Sequence, residues 1–314
     1  WFTLTTTGGA ILTLWWVWHN IPPWHPRLHP QLCRQLLKEA LPISVLIAYS
    51  VALRWSDILI LGQTRDMPQV AVYGSAQKVI DLANVVSTSA SAALFPLLAY
   101  RWRLSNAETQ RVFQRALRFF ADFGVGAAAG MMYLATPIVT TLFGEHYALA
   151  AAPLRILACA FLFQVVSGPT GTLMIATGER LHRFVPAIGG VVALNITLNL
   201  LLTPRWGYLG AAWAFLGTAV GVFAIRQWIA AAHFARPPRM PVLLWRPVLS
   251  AAGMGLILWV TRPPSIWGAL ILGSLTYLLG LGILGEFRQS PYPDLYALLV
   301  DGLLKRYRQH SRQA

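Results

Sequence analysis

Four ionisable residues stand where ionisable residues are rare. Arg54 and Asp57 lie inside one long apolar stretch, and Lys78 and Asp81 lie inside the next. Residues three apart share a helix face, so each pair is expected on one side of its helix. The connection between the two stretches centres on Met67–Pro68, and in an antiparallel hairpin residues equidistant from the turn lie at one depth. Asp57 is thereby level with Lys78, and Arg54 with Asp81. Two readings follow. In one, the opposite charges neutralise each other and clamp the hairpin. In the other, Arg54 and Lys78 line a polar cavity and attract an anionic substrate group, while Asp57 or Asp81 carries a proton. The readings overlap, because a pair can open when an anion arrives. Asn195 and Asn199, four apart on a later stretch, share a face and offer interhelical hydrogen bonds or further cavity lining. Charge inside a membrane span is costly, which makes these six residues the site candidates.

The elements that position them are transmembrane helices. Eight apolar stretches, at 41–62, 70–100, 119–143, 150–177, 184–203, 209–232, 242–260 and 265–285, reach the length of about 20 residues that a bilayer core requires. Hydrophobic residues make up 56% of the chain and charged residues 11%, far below a soluble domain. Strand alternation is absent, so the spans are helices and the fold class is an all-α, polytopic membrane bundle.

The basic residues alternate between loops. Nineteen of the 25 Lys and Arg lie in every second loop and in the tail, only Arg65, Arg205 and Arg262 lie in the opposite loops, and Arg54, Lys78 and Arg155 lie inside spans. By the positive-inside rule the basic loops and the C-terminus are expected in the cytoplasm. The net charge of +14 is thus a topology signal, and nucleic-acid binding is not expected. Trp15, Trp16, Trp18, Trp102, Trp206, Trp245, Trp259 and Trp267 fall near span ends, as an interfacial belt would. Arg155 is expected to snorkel, and Asp122 to pair with Arg118 one turn earlier.

No phosphate loop, zinc-protease or nucleophile-elbow motif occurs, and no Cys-x-x-Cys spacing. His25, His29 and Cys33 recur every four residues, but Pro26 and Pro30 break any helix that would align them. No metal, no cofactor and no enzymatic activity are expected. The expected organisation is a remnant of a preceding helix at 1–18, a cytoplasmic connection at 19–40, a six-helix lobe at 41–232, two additional helices at 242–285 and a basic amphipathic tail at 286–314. The chain starts at Trp1 with no basic n-region, so it is expected to be a piece of a longer protein.

A succession of loose motifs carries a resemblance. Leu41-Pro42 opens a span that ends Asp57-Ile-Leu-Ile-Leu-Gly62, and Val72-Tyr73-Gly-Ser-Ala-Gln-Lys78 opens the next. Phe95-Pro96, Leu142-Phe-Gly144 with Tyr147, Leu154-Arg-Ile-Leu157, Asn195-x-x-x-Asn199 and Pro204-x-x-Gly207-x-x-Gly210 follow in order. The pattern resembles the Wzx-type polysaccharide flippases of the multidrug/oligosaccharidyl-lipid/polysaccharide exporter superfamily. The resemblance implies a two-lobed exporter of which this chain is the second lobe plus two extra spans. It implies a substrate, undecaprenyl-pyrophosphate-linked oligosaccharide, moved across a bacterial inner membrane. It also implies membrane lipids and polysaccharide polymerase machinery as partners, with Arg54 and Lys78 meeting the pyrophosphate. A cation-coupled drug exporter of the same superfamily and a membrane glycosyltransferase or polymerase are the alternatives. The short outer loops leave little room for the last.

Overall fold

The computed structural model describes residues 30–178, 181–233, 240–263 and 265–286, with a few positions among the first nineteen. Most of the expected remnant at 1–18, the His25/His29 spacing, and the tail beyond Glu286 lie outside the described residues. The chain divides into two compact units, Trp1–Ser44 and Val45–Ala314, and the candidate site lies wholly in the second.

The helices follow in chain order. They are α1 (Pro30–Thr64), α2 (Met67–Leu104), α3 (Asn106–Tyr133), α4 (Ala135–Phe143), a 3₁₀ turn (Glu145–Ala150), α5 (Ala151–Thr177), α6 (Leu181–Trp206), α7 (Tyr208–His233), α8 (Met240–Thr261) and α9 (Ile266–Ile283). No strand occurs among the described residues. Among the described residues seven helices are long and apolar enough to cross a membrane, or eight when α3 and α4 together count as one. The protein is a multi-pass helical membrane protein.

Two elements differ from the expectation. The helix expected to begin at residue 41 already runs from Pro30, the imino acid that suits a first helical turn. The span expected at 119–143 is not straight: α3 and α4 meet at a bend of 74°. Pro137 explains the position of the break. Its ring clashes with the carbonyl four residues back, that of Tyr133, which is the last residue of α3.

Helix α5 is the hub and packs against α2, α3 and α7. Its buried face joins Leu154, Leu157 and Phe161 to Phe113 and Leu117 of α3. Small residues bring the helices close, with Ala158, Ala160, Ala211, Ala212 and Ala214 fully buried. The α6–α7 turn needs glycine twice. Gly207 has φ +58°, and a Cβ on Gly210 would sit 2.2 Å from the Leu202 carbonyl oxygen. Helices α8 and α9 form a hairpin docked on α3 through Val125, Met254, Leu258, Tyr277 and Leu281. Tyr277 lies over Gly126, and its hydroxyl donates to the Asp122 carbonyl at 2.6 Å.

That docking predicts a steric test. A Cβ at Gly126 would stand 2.6 Å from the Tyr277 ring, which its hydrogen bond holds in place. Gly126→Val is expected to lower stability by about 1–3 kcal/mol, as overpacking does. Thermal unfolding in detergent measures it, and an unchanged melting temperature would mean that α9 does not dock here.

Candidate functional site

The structure splits the six candidates into a buried node and an exposed charged face. Asp57 is 1% exposed and accepts three hydrogen bonds from neutral donors. Its Oδ1 accepts from Asn199 Nδ2 at 2.6 Å and from Asn195 Nδ2 at 3.2 Å. Its Oδ2 accepts from the Tyr73 hydroxyl at 3.1 Å. Asn195 also donates to Thr218 Oγ1 at 2.9 Å, while its Oδ1 accepts from Ser56 at 2.6 Å. Asn199 also donates to the Asn195 carbonyl at 3.1 Å and accepts from Thr203 at 3.2 Å. Both N–H groups of each asparagine are used, and each amide oxygen has a donor. The node therefore joins α1, α2, α6 and α7 through one carboxylate. Full satisfaction is what permits a polar cluster at this depth.

The second group is exposed. Arg54 Nη2 bonds Asp81 Oδ2 at 2.9 Å, with the Arg54 side chain 56% exposed. Lys78 is exposed, and its side chain has no hydrogen-bond or ion-pair partner among the described residues. It belongs to a stripe of α2 in which Ala71, Leu82, Val85, Ser89 and Pro96 recur at helical spacing and are all exposed. Arg54 is ten residues before the end of α1, so about 15 Å from that end at the helical rise. Arg54 thus sits midway along the apolar span Ser44–Thr64, and Lys78 lies about 16 Å, at the helical rise, inside the span Met67–Leu104.

The pairing expected from the hairpin is met in one case and corrected in the other. Arg54 and Asp81 meet. Asp57 and Lys78 do not, because Asp57 turns inward, about 60° around the helix from Arg54. Asn195 and Asn199 are fully buried, so in this conformation they bond between helices and line no open surface.

Sequence reasoning missed Tyr73 as a partner of Asp57, although it lies in the quoted motif. It also missed a cluster at the other end of the bundle. Glu286, 4% exposed, bonds Arg246 at 3.0 Å and lies 3.9 Å from Arg118. It ties the α8–α9 hairpin to α3, although its position in the sequence is that of the start of the expected tail. Arg226, expected in a loop, is part of α7 and donates to Ser167 Oγ at 3.1 Å. Arg155 reaches Thr136 at 3.3 Å. Arg65 bonds the Pro204 carbonyl, which brings together two connections expected on the same side of the membrane. Among the described residues no group of His, Cys, Asp or Glu has the arrangement of a metal site.

Comparison with known proteins agrees with this architecture. Residues 1–152 match the family described as polysaccharide biosynthesis protein. The teichuronic acid biosynthesis protein TuaB of Bacillus subtilis is 22% identical over 211 residues, 64% of this chain and 42% of its own length. The probable low-salt glycan biosynthesis flippase Agl15 of Haloferax volcanii is 25% identical over 160 residues, 50% of this chain and 34% of its own. The membrane protein YabM of Bacillus subtilis is 26% identical over 157 residues, 49% of this chain and 28% of its own. In fold, the chain is similar to the lipid II flippase MurJ in an inward closed conformation, with a TM-score of 0.72 at 16% identity, over 88% of this chain and 60% of that one. The resemblance to Wzx-type flippases is borne out, and the fold is MurJ-like. The chain spans less than half the length of each of the three curated relatives.

The node makes a quantitative prediction. Asn199→Leu removes a donor from a buried carboxylate and is expected to destabilise the protein by about 1–3 kcal/mol. Tyr73→Phe is expected to lose about 1 kcal/mol, and the double variant to depart from additivity because both bond Asp57. Denaturation of the wild type and the three variants in detergent measures the coupling, and strict additivity would count against a shared node.

Proposed function

We propose that the chain is the second lobe of a flippase that moves a lipid-linked oligosaccharide across a membrane. The observation that carries this reading is the exposed Arg54–Asp81 pair and Lys78, set well inside apolar spans. Lipid does not tolerate such a face, so it borders a water-filled cavity. The other wall is the first lobe of the intact protein. Residues 41–232 are the six-helix lobe and 242–285 the two additional helices. The basic loops and C-terminus are cytoplasmic in a bacterial inner membrane, as the charge asymmetry supports.

The mechanism follows from the charges. Arg54 and Lys78 attract the pyrophosphate of an undecaprenyl-linked saccharide, while the lipid tail stays in the bilayer. Lys78, with no partner to release, is the first contact. Arg54 exchanges the Asp81 carboxylate for phosphate oxygens, which suit its planar fork. Freed Asp81 then takes up a proton, and Asp57 couples that event to helices α6 and α7 through Asn195 and Asn199. Rocking of the two lobes moves the site from one leaflet to the other. Polysaccharide polymerase machinery takes the product.

The clamp reading has less support, because an exposed ion pair contributes only about 0–1 kcal/mol. Lys78→Ala is therefore expected to leave protein abundance near wild type while transport falls about tenfold or more, the size of a lost charged contact. Lys78→Arg is expected to retain transport. Equal loss of abundance and transport in Lys78→Ala would favour the clamp. The function itself is tested by deleting the intact gene and locating the lipid-linked oligosaccharide. Completed units trapped on the cytoplasmic leaflet are expected. Unpolymerised units displayed outside would indicate a polymerase, and unchanged saccharides with altered drug tolerance a drug exporter.

A further inference from the structure

The end of the bundle away from Glu286 holds a cavity of about 350 Å³. It opens where the α3/α4 bend meets the connection between α8 and α9. Tyr133 and Pro137 line it from the bend, Trp259 from the last turn of α8, and Ile266 and Ala269 from the start of α9. Arg262 stands at the connection and lines the same cavity. None of the lining residues is acidic. The backbone N–H of Arg262 donates to the Leu258 carbonyl at 3.1 Å, while its guanidinium has no hydrogen-bond or ion-pair partner among the described residues. Its φ is +38°, a conformation that side chains other than glycine rarely adopt and that persists only where the surroundings hold it. Trp259 and Trp267 beside it are among the most exposed aromatic side chains, at 66% and 71%. Such rings mark the level of lipid headgroups.

A cation with no counter-ion, at the mouth of an apolar cavity, at headgroup depth, matches an amphiphile with an anionic head. We propose that this cavity binds an anionic phospholipid. The phosphate meets the Arg262 guanidinium, which presents paired donors to phosphate oxygens. The glycerol and first methylenes fill the cavity between Pro137, Ile266 and Ala269. The acyl chains run down the exposed apolar residues of α8 and α9, among them Leu256, Ile271 and Leu275. A free phosphate would satisfy the cation but leave the apolar walls unused, so the lipid is the occupant that fits both. The inference is independent of the transported substrate.

The test is native mass spectrometry of the intact protein titrated with phosphatidylglycerol or phosphatidylcholine. Arg262→Gly removes the cation and keeps the backbone, because glycine adopts positive φ freely. It is expected to bind phosphatidylglycerol about fivefold more weakly, the factor that corresponds to one basic group at an anionic lipid surface. Arg262→Lys is expected to retain most of the binding. Arg205→Gln, an exposed arginine that does not line the cavity, is expected to bind as wild type. Undiminished binding in Arg262→Gly would overturn the proposal. An equal loss in Arg205→Gln would also overturn it, as diffuse surface attraction. Displacement of the lipid by millimolar inorganic phosphate would overturn it in favour of a free-anion site.

Discussion

A carboxylate held between apolar helices without a cation has to be surrounded by donors, and Asp57 imposes that requirement on four helices at once. Tyr73 of α2 and Asn195 and Asn199 of α6 bond it directly, and Thr218 of α7 bonds Asn195. Moving any of these helices alone would strand a buried polar atom. The rotation of α1 is thereby set, and with it the outward direction of Arg54. The charged face exists because the neutral node behind it holds the helices in register.

Two kinds of ionisable group therefore divide the work within one membrane layer. Asp57 is enclosed and satisfied. Arg54, Asp81 and Lys78 are open and only half neutralised, since the pair leaves the lysine charge over. In the function we propose, enclosed groups transmit rearrangement between helices, and open ones meet ligand. The Glu286 cluster has a third role. It binds the two added helices to α3 at one end, while Tyr277 over Gly126 binds them further along. The hairpin so anchored forms part of the wall of the cavity beneath Arg262.

Much of this was legible in the residues, and the gaps have physical causes. Span length and composition identify the helices because a bilayer fixes both. The level of Arg54 with Asp81 follows from the constant rise of a helix, and the pair forms. The same arithmetic says nothing of rotation about the axis, which is why Asp57 escapes Lys78. The partners of Asp57 on α6 lie 138 and 142 residues away, a separation that local spacing does not reach. Pro137 marks a break in the sequence, but the 74° bend depends on the neighbours of α4. Glu286 read as the start of a tail because its partners, Arg246 and Arg118, come from two other helices.

The central claim is that the face of Lys78 meets water at mid-membrane. The direct measurement is thiol labelling of the intact protein in cells, with Cys33 and Cys159 replaced by Ser and single cysteines placed at Lys78 or at Trp55, an exposed aromatic residue on another side of α1. A charged maleimide, applied from either side, reacts only with thiols that water reaches. The account predicts labelling at position 78, its suppression by added lipid-linked saccharide, and none at position 55. Position 78 left unlabelled from both sides, or labelled no more than position 55, would contradict a water-filled cavity along this face.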